Sequence, residues 1–115
     1  MANAKNFRVT LVNGTQGEIK VERFAYEDGD KWKDEHMFGI DGHQKIEQGR
    51  SVSFTRDFHG IGNATTRFQV HFRTHTGGTK WSGLLIPVSG QFTAPLEGGE
   101  KSFTLNETSS LLAET

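Results

Sequence analysis

The residues best placed to do chemistry are Arg67, Gln69, His71, Arg73 and His75, five polar side chains at every second position. Alternate residues of an extended strand share one face. The row therefore predicts a flat surface of guanidinium and imidazole donors, suited to phosphate, sulfate or carboxylate groups. A metal fits it poorly. His71 and His75 lie four residues apart, about 13 Å along a strand, which is too far for one zinc ion. Asp28, Asp30 and Asp34 resemble part of a calcium loop, but the sixth-position glycine and the terminal glutamate are missing, so the segment reads as a polar turn. No G-x-S-x-G nucleophile turn, G-x-G-x-x-G loop or P-loop is present. The chain is expected to bind rather than to catalyse, with no catalytic residue, cofactor or metal site.

Two tryptophans extend the candidate set. Trp32 stands in Asp30-Lys31-Trp32-Lys33-Asp34, and Trp81 follows Gly77-Gly78-Thr79-Lys80. Amphipathic rings flanked by lysine suit a membrane interface or a sugar-binding platform, and either ring could instead roof the end of a core. Tyr26 and Phe58 are further candidates for exposed aromatics. The expected ligand-binding residues are thus Trp32, Trp81, Arg67, His71, Arg73 and Tyr26. Nucleic acid is excluded as a partner, because it calls for a more basic domain with aromatics among its cations. Here the pI is about 6.5, and the phenylalanines fall on the opposite face of the arginine row.

The elements that must hold these residues are strands. The chain has 115 residues, with 14 Gly, 2 Pro and 9 Phe, a mixture that favours short strands and many turns. Alternation places strands at about 7–12, 18–26, 37–40, 44–46, 51–56, 66–75, 81–88, 91–93 and 101–105. The 18–26 run changes phase, with Ile19 and Val21 odd but Phe24 and Tyr26 even, and a β-bulge near Glu22-Arg23 reconciles the two halves. The 66–75 run alternates without a fault, Phe68, Val70 and Phe72 forming its apolar face. Leu84-Leu85-Ile86 is apolar on both faces and reads as a central strand. The expectation is an all-β, single-domain antiparallel β-sandwich of about eight short strands. It spans residues 7–105, with tails at 1–6 and 106–115, the latter frayed or forming a helical turn.

Charge is segregated along the chain although the net value is −1. Residues 18–47 carry five basic and nine acidic side chains; residues 48–82 carry Arg50, Arg56, Arg67, Arg73 and Lys80 against Asp57 alone. Protonating all five histidines would bring the net charge to about +4 between pH 7 and 5, which predicts tighter binding to an anionic surface in mild acid.

Cysteine is absent and MANAKNF has no apolar signal-peptide core. A cytoplasmic protein, or one released without a conventional signal peptide, is expected. No run approaches the roughly 18 apolar residues of a membrane-spanning helix. The Asn-X-Thr triplets at Asn13, Asn63 and Asn106 read as turn chemistry rather than glycan acceptors.

The order of these features resembles a known family. VTLVNGT followed by EIKVERFAYEDGDKW is similar to the opening of the aegerolysins, small β-sandwich proteins with an Asn-rich first hairpin leading to an aromatic. KIEQGRSVSFTRDFHGIGNATTRFQVHF resembles their ligand-side segment, and WSGLLIPVSG sits where they have a strand ending near a proline. The resemblance covers about residues 7–105 as a pattern of strands and turns. It departs from the family at Pro87, which Ile86 and Val88 flank instead of tryptophans. It implies binding to membrane lipid, often with a larger partner protein, and maps the lipid-recognition tryptophans onto Trp32 and Trp81. Two other classes fit the same composition: a lectin-like module that takes a glycan, and a self-assembling subunit or homo-oligomer that uses the Arg67–His75 face or the Leu84–Ile86 strand.

Overall fold

The computed structural model describes residues 2–35 and 44–115. The expected strand at 37–40, together with His36 and His43, lies outside them. The described residues are all-β, with no helix and eleven strands. They are β1 (Ala4–Asn13), β2 (Ile19–Asp28), β3 (Lys31–Glu35), β4 (Gln44–Ile46), β5 (Ser51–Phe58), β6 (Thr65–Thr66), β7 (Phe68–Gly77), β8 (Lys80–Trp81), β9 (Phe92–Thr93), β10 (Glu100–Leu105) and β11 (Ala113–Glu114). One sheet runs β11-β10-β1-β5. A second runs β3-β2-β7-β8, with β4 also paired to β2, and β6-β9 is a short ribbon.

Most neighbours are antiparallel, as expected, but β10 runs parallel to β1, from Arg8 beside Glu100 to Asn13 beside Leu105. Alternation reports which face a residue takes and says nothing about the direction of the neighbouring strand. Both expected tails also carry structure. β1 begins at Ala4, which is buried, while β11 pairs with β10 and Leu112 joins the core. Two apolar residues among polar ones, Leu111 and Leu112, are too short a pattern to announce a strand.

The phase slip in β2 is a bulge at the expected place: its register with β7 shifts between Val21 and Arg23. Because of it Ile19, Val21, Phe24 and Tyr26 all point inward. They meet Phe68, Val70 and Phe72 of β7 and, from the first sheet, Phe7, Val9, Leu11, Phe54, Phe58 and Phe103. Rings join the two sheets directly. Phe7 and Phe68 centroids are 5.5 Å apart, Phe24 and Phe54 5.2 Å, and Tyr26 and Phe58 5.0 Å, in tilted or edge-on geometries that favour aromatic pairing. Truncating a ring at the centre of such a cluster, Phe68 for instance, costs about 3–5 kcal/mol.

Two of the three Asn-X-Thr triplets build the same turn. Asn13 Oδ1 accepts from the Thr15 amide at 2.9 Å and hydroxyl at 2.7 Å, and Asn106 Oδ1 accepts from the Thr108 amide and hydroxyl at the same distances. Asn13 is buried, and its Nδ2 donates to the carbonyls of Gly17 and Ile46, so its amide pins the first hairpin to β4. Asn63 serves a turn differently, through a backbone φ of 61°. Gly99, at the entrance to β10, lies so close to the Phe7 ring and to Pro95 that a Cβ there would collide with both.

Candidate functional site

Five of the six expected site residues share one surface, the outer face of the second sheet. β7 turns Gln69, His71, Arg73 and His75 outward, with Arg67 just ahead of it on the same face, because Phe68, Val70 and Phe72 are drawn into the core. β3 brings Trp32 opposite Glu27, and β8 brings Trp81 opposite His75. Eight residues of β7 separate the two ends, about 26 Å at strand rise. The sixth residue does not belong to this surface. Tyr26 is 3% exposed on the inner face, and Phe58 is buried with it. The Tyr26 hydroxyl accepts from the His59 amide at 3.1 Å and donates to the His59 carbonyl at 3.3 Å, so the phenol is satisfied without water. Burial pushes its pKa above the ordinary value of 10.0. The signal was in the sequence: beyond the bulge, Tyr26 shares the phase of Phe24.

The row itself is not a set of free cations. Arg67 makes a bidentate pair with Glu27, Nε to Oε1 at 3.1 Å and Nη2 to Oε2 at 2.5 Å. That hydrogen bond lowers the Glu27 pKa and raises that of Arg67. The Arg67 guanidinium also lies over the Trp32 ring, 5.4 Å from its centroid. Arg73 Nε donates to Glu22 Oε2 at 2.6 Å and its Nη1 to the Ser82 carbonyl at 3.2 Å. Arg23 pairs with Asp34, and Lys33 with Asp28 at 2.6 Å. Two of these pairs, Arg67–Glu27 and Arg73–Glu22, join the basic 48–82 segment to the acidic 18–47 segment across β2 and β7, and the other two lie within the acidic segment.

His71 departs from the sequence reading in a second way. It sits mid-sheet between Arg23 on β2 and the Ile86 segment beyond β7, and it is only 9% exposed. Its Nε2 is 2.9 Å from Gln69 Oε1. Burial first, then the Arg23 charge, lowers its pKa below 6.5, against the opposing pull of Asp34 and Glu22. His71 thus resists charging where the sequence reading had it supply charge in mild acid.

The Trp81 end differs. The Trp81 ring is half-buried and reaches across the sheet face, where Lys20 Nζ stands 4.9 Å and Lys45 Nζ 5.8 Å from its centroid. His75, which is exposed, lies tilted beside it with centroids 5.0 Å apart and donates from Nε2 to the Gly78 carbonyl at 2.6 Å. Lys45 makes no ion pair with any described residue, and Lys20 reaches Glu22 only at 4.0 Å. Neither lysine was singled out from the sequence. The available clue was that Lys20, set between inward Ile19 and Val21, must face outward.

Beyond β7 the sheet continues without regular strand geometry. Phe72 and Leu85 exchange backbone hydrogen bonds, Val70 donates to the Pro87 carbonyl, and Val88 bridges both Gln69 and Leu111. Leu85 packs inward against the core, which turns Leu84 and Ile86 outward at 38% and 44% exposure. The segment is therefore paired with β7 along one side and with the Ser110–Leu112 chain at Val88 alone on the other, and it is buried on one face only. Among the described residues no group of three or more His, Asp or Glu side chains is placed to hold a metal ion, and no helix is long and apolar enough to cross a membrane. On the outer sheet face the Trp81 corner gathers an indole, an imidazole and two ammonium groups. No known protein family, curated protein or solved structure matches this chain.

Proposed function

We propose that this chain is a non-catalytic, aegerolysin-like β-sandwich protein that docks on membrane lipid through the outer face of the β3-β2-β7-β8 sheet, with Trp81 as its interfacial ring. The observation that carries the reading is the Trp81 corner. There an amphipathic indole lies between the ammonium groups of Lys20 and Lys45, with exposed His75 and Lys80 alongside. Indole rings settle at the headgroup level, and lysines beside them attract anionic lipid at about 1 kcal/mol each. Arg67 and Arg73, already held by Glu27 and Glu22, shape the face more than they charge it. A larger protein partner or a second copy of the chain would act after this docking step.

The test is tryptophan emission from two single-tryptophan variants, Trp32→Phe and Trp81→Phe, titrated with phosphatidylcholine vesicles with and without phosphatidylserine. The reading requires a blue shift in Trp32→Phe, which retains Trp81, and a stronger one with the anionic lipid. A response to free saccharides and not to vesicles would make the protein a lectin instead. Silence toward both would leave assembly as its role, to be read by sedimentation.

A further inference from the structure

Leu84, Ile86 and Leu111 are 38%, 44% and 55% exposed, three of the four large apolar side chains left open to solvent among the described residues. They are not scattered. The register Phe72 with Leu85 and Gln69 with Val88 sets Leu84 beside Arg73 and Ile86 beside His71, while the Val88–Leu111 bridge adds Leu111 to the same face. The result is an aliphatic strip, Leu84, Ile86, Val88 and Leu111, about 13 Å long from residue 84 to 88. It borders a groove of about 350 Å³ formed by Leu84–Pro87 and Glu107–Ser110. Its near end is three residues from Trp81, on the face that carries Lys20, Lys45 and Arg73.

We propose that this strip is the part of the protein that enters the bilayer, its aliphatic side chains passing below the headgroups while Trp81, Lys20 and Lys45 stay among them. The inference rests on the lipid reading above and goes beyond it by assigning the inserted residues and hence the tilt of the domain on the membrane. Two observations favour a lipid surface as the occupant. Lys20 and Lys45 stand over the ring of Trp81, three residues from Leu84, so their charge and the apolar strip share one face, the arrangement that holds a peripheral protein at an anionic interface. The strip is also far smaller than the 20–30 residues a side of a stable protein interface. The other wall of the groove, Glu107 to Ser110, is polar and marks the side that must stay in water.

The experiment places a probe in the strip. Ile86→Trp, in a background of Trp32→Phe and Trp81→Phe, is mixed with phosphatidylserine-containing vesicles whose acyl chains carry bromine. A blue shift with quenching by the brominated chains is expected. In parallel, Leu84→Ser/Ile86→Ser should bind these vesicles at least about tenfold more weakly while remaining folded at the assay temperature by circular dichroism, the loss in melting temperature being limited because the two side chains are 38% and 44% exposed. If the probe at position 86 stays unquenched while Trp81 in the Trp32→Phe protein shifts, the docking corner stands and the strip does not insert. If wild-type protein gives no shift with any vesicle, the lipid reading and this inference fall together. If Leu84→Ser/Ile86→Ser instead dissolves a dimer seen by sedimentation velocity, the strip belongs to a second copy of the chain.

Discussion

The two tryptophans occupy opposite ends of one sheet face, and their surroundings differ in how charge is spent. At the Trp32 end the cation over the ring, Arg67, is locked bidentately to Glu27, with Asp28–Lys33 and Arg23–Asp34 paired around it. At the Trp81 end Lys45 pairs with no described carboxylate, and Lys20 reaches only Glu22, at 4.0 Å, a carboxylate that Arg73 already holds at 2.6 Å. An aromatic–cation contact that looks the same at both ends therefore does two jobs. Around Trp32 it closes the surface electrostatically and leaves little for an anion to gain. Around Trp81 it leaves positive charge over the ring, which under the proposed function an anionic headgroup would balance.

The sharpest way to break this contrast is to remove the open charge. Lys20→Gln/Lys45→Gln should weaken binding to anionic vesicles by about 25-fold, at about fivefold per lysine, and flatten its salt dependence; co-sedimentation at two ionic strengths checks both. Next in size, Trp81→Ala should cost about tenfold in the same assay and Trp32→Ala no more than about twofold. Equal losses would erase the distinction between the ends. A smaller effect runs the other way. Glu27→Gln frees Arg67 from its bidentate partner and should raise vesicle affinity about two- to fivefold, turning the closed end into a second open one.

The smallest effect concerns pH, and it separates stability from binding. His71 has its folded-state pKa below the unfolded value of 6.5, through burial first and Arg23 second. The unfolded chain therefore takes up more protons as the solution is acidified. The stability that neutral His71 contributes is complete above pH 6.5 and is lost as pH falls through 6.5 toward the lower folded pKa. Urea unfolding between pH 7.5 and 5 should show this decline, and His71→Gln should remove that component while leaving vesicle binding at pH 7.5 unchanged. Any tightening of binding in mild acid would then trace to histidines other than His71.

Much of this surface was legible in the sequence, and the rest was hidden for identifiable reasons. The alternation of β7 revealed the outward row, and the odd-to-even slip in β2 located the bulge, because side-chain phase is a local property of an extended chain. The Asn-X-Thr turns were readable for the same reason. What stayed hidden depends on neighbours distant in sequence. The ion pairs that silence Arg67 and Arg73 come from β2, 40 and 51 residues away. The parallel β10 and the core role of Leu112 are likewise pairings that no local pattern encodes. Tyr26 looked available because a phenol is amphipathic, and it proved buried because His59 supplies a backbone donor and acceptor for it. Leu84-Leu85-Ile86 promised a strand covered on both faces; it received β7 along one edge and a cover on one face only.

The parallel pairing of β1 with β10 has a consequence for the growing chain. In synthesis β1, β2 and β7 exist long before residue 100, so until β10 is made one flank of β1 presents unpaired amides and carbonyls. Contacts between residues so far apart are also slow to form. The chain synthesised before β10 therefore carries an open sheet edge, and substitutions that delay β10 prolong that state. Gly99→Ala, which drives a methyl group into Phe7, should cut the soluble yield at 37 °C more than its effect on the melting temperature of purified protein would suggest, and expression at lower temperature should restore it.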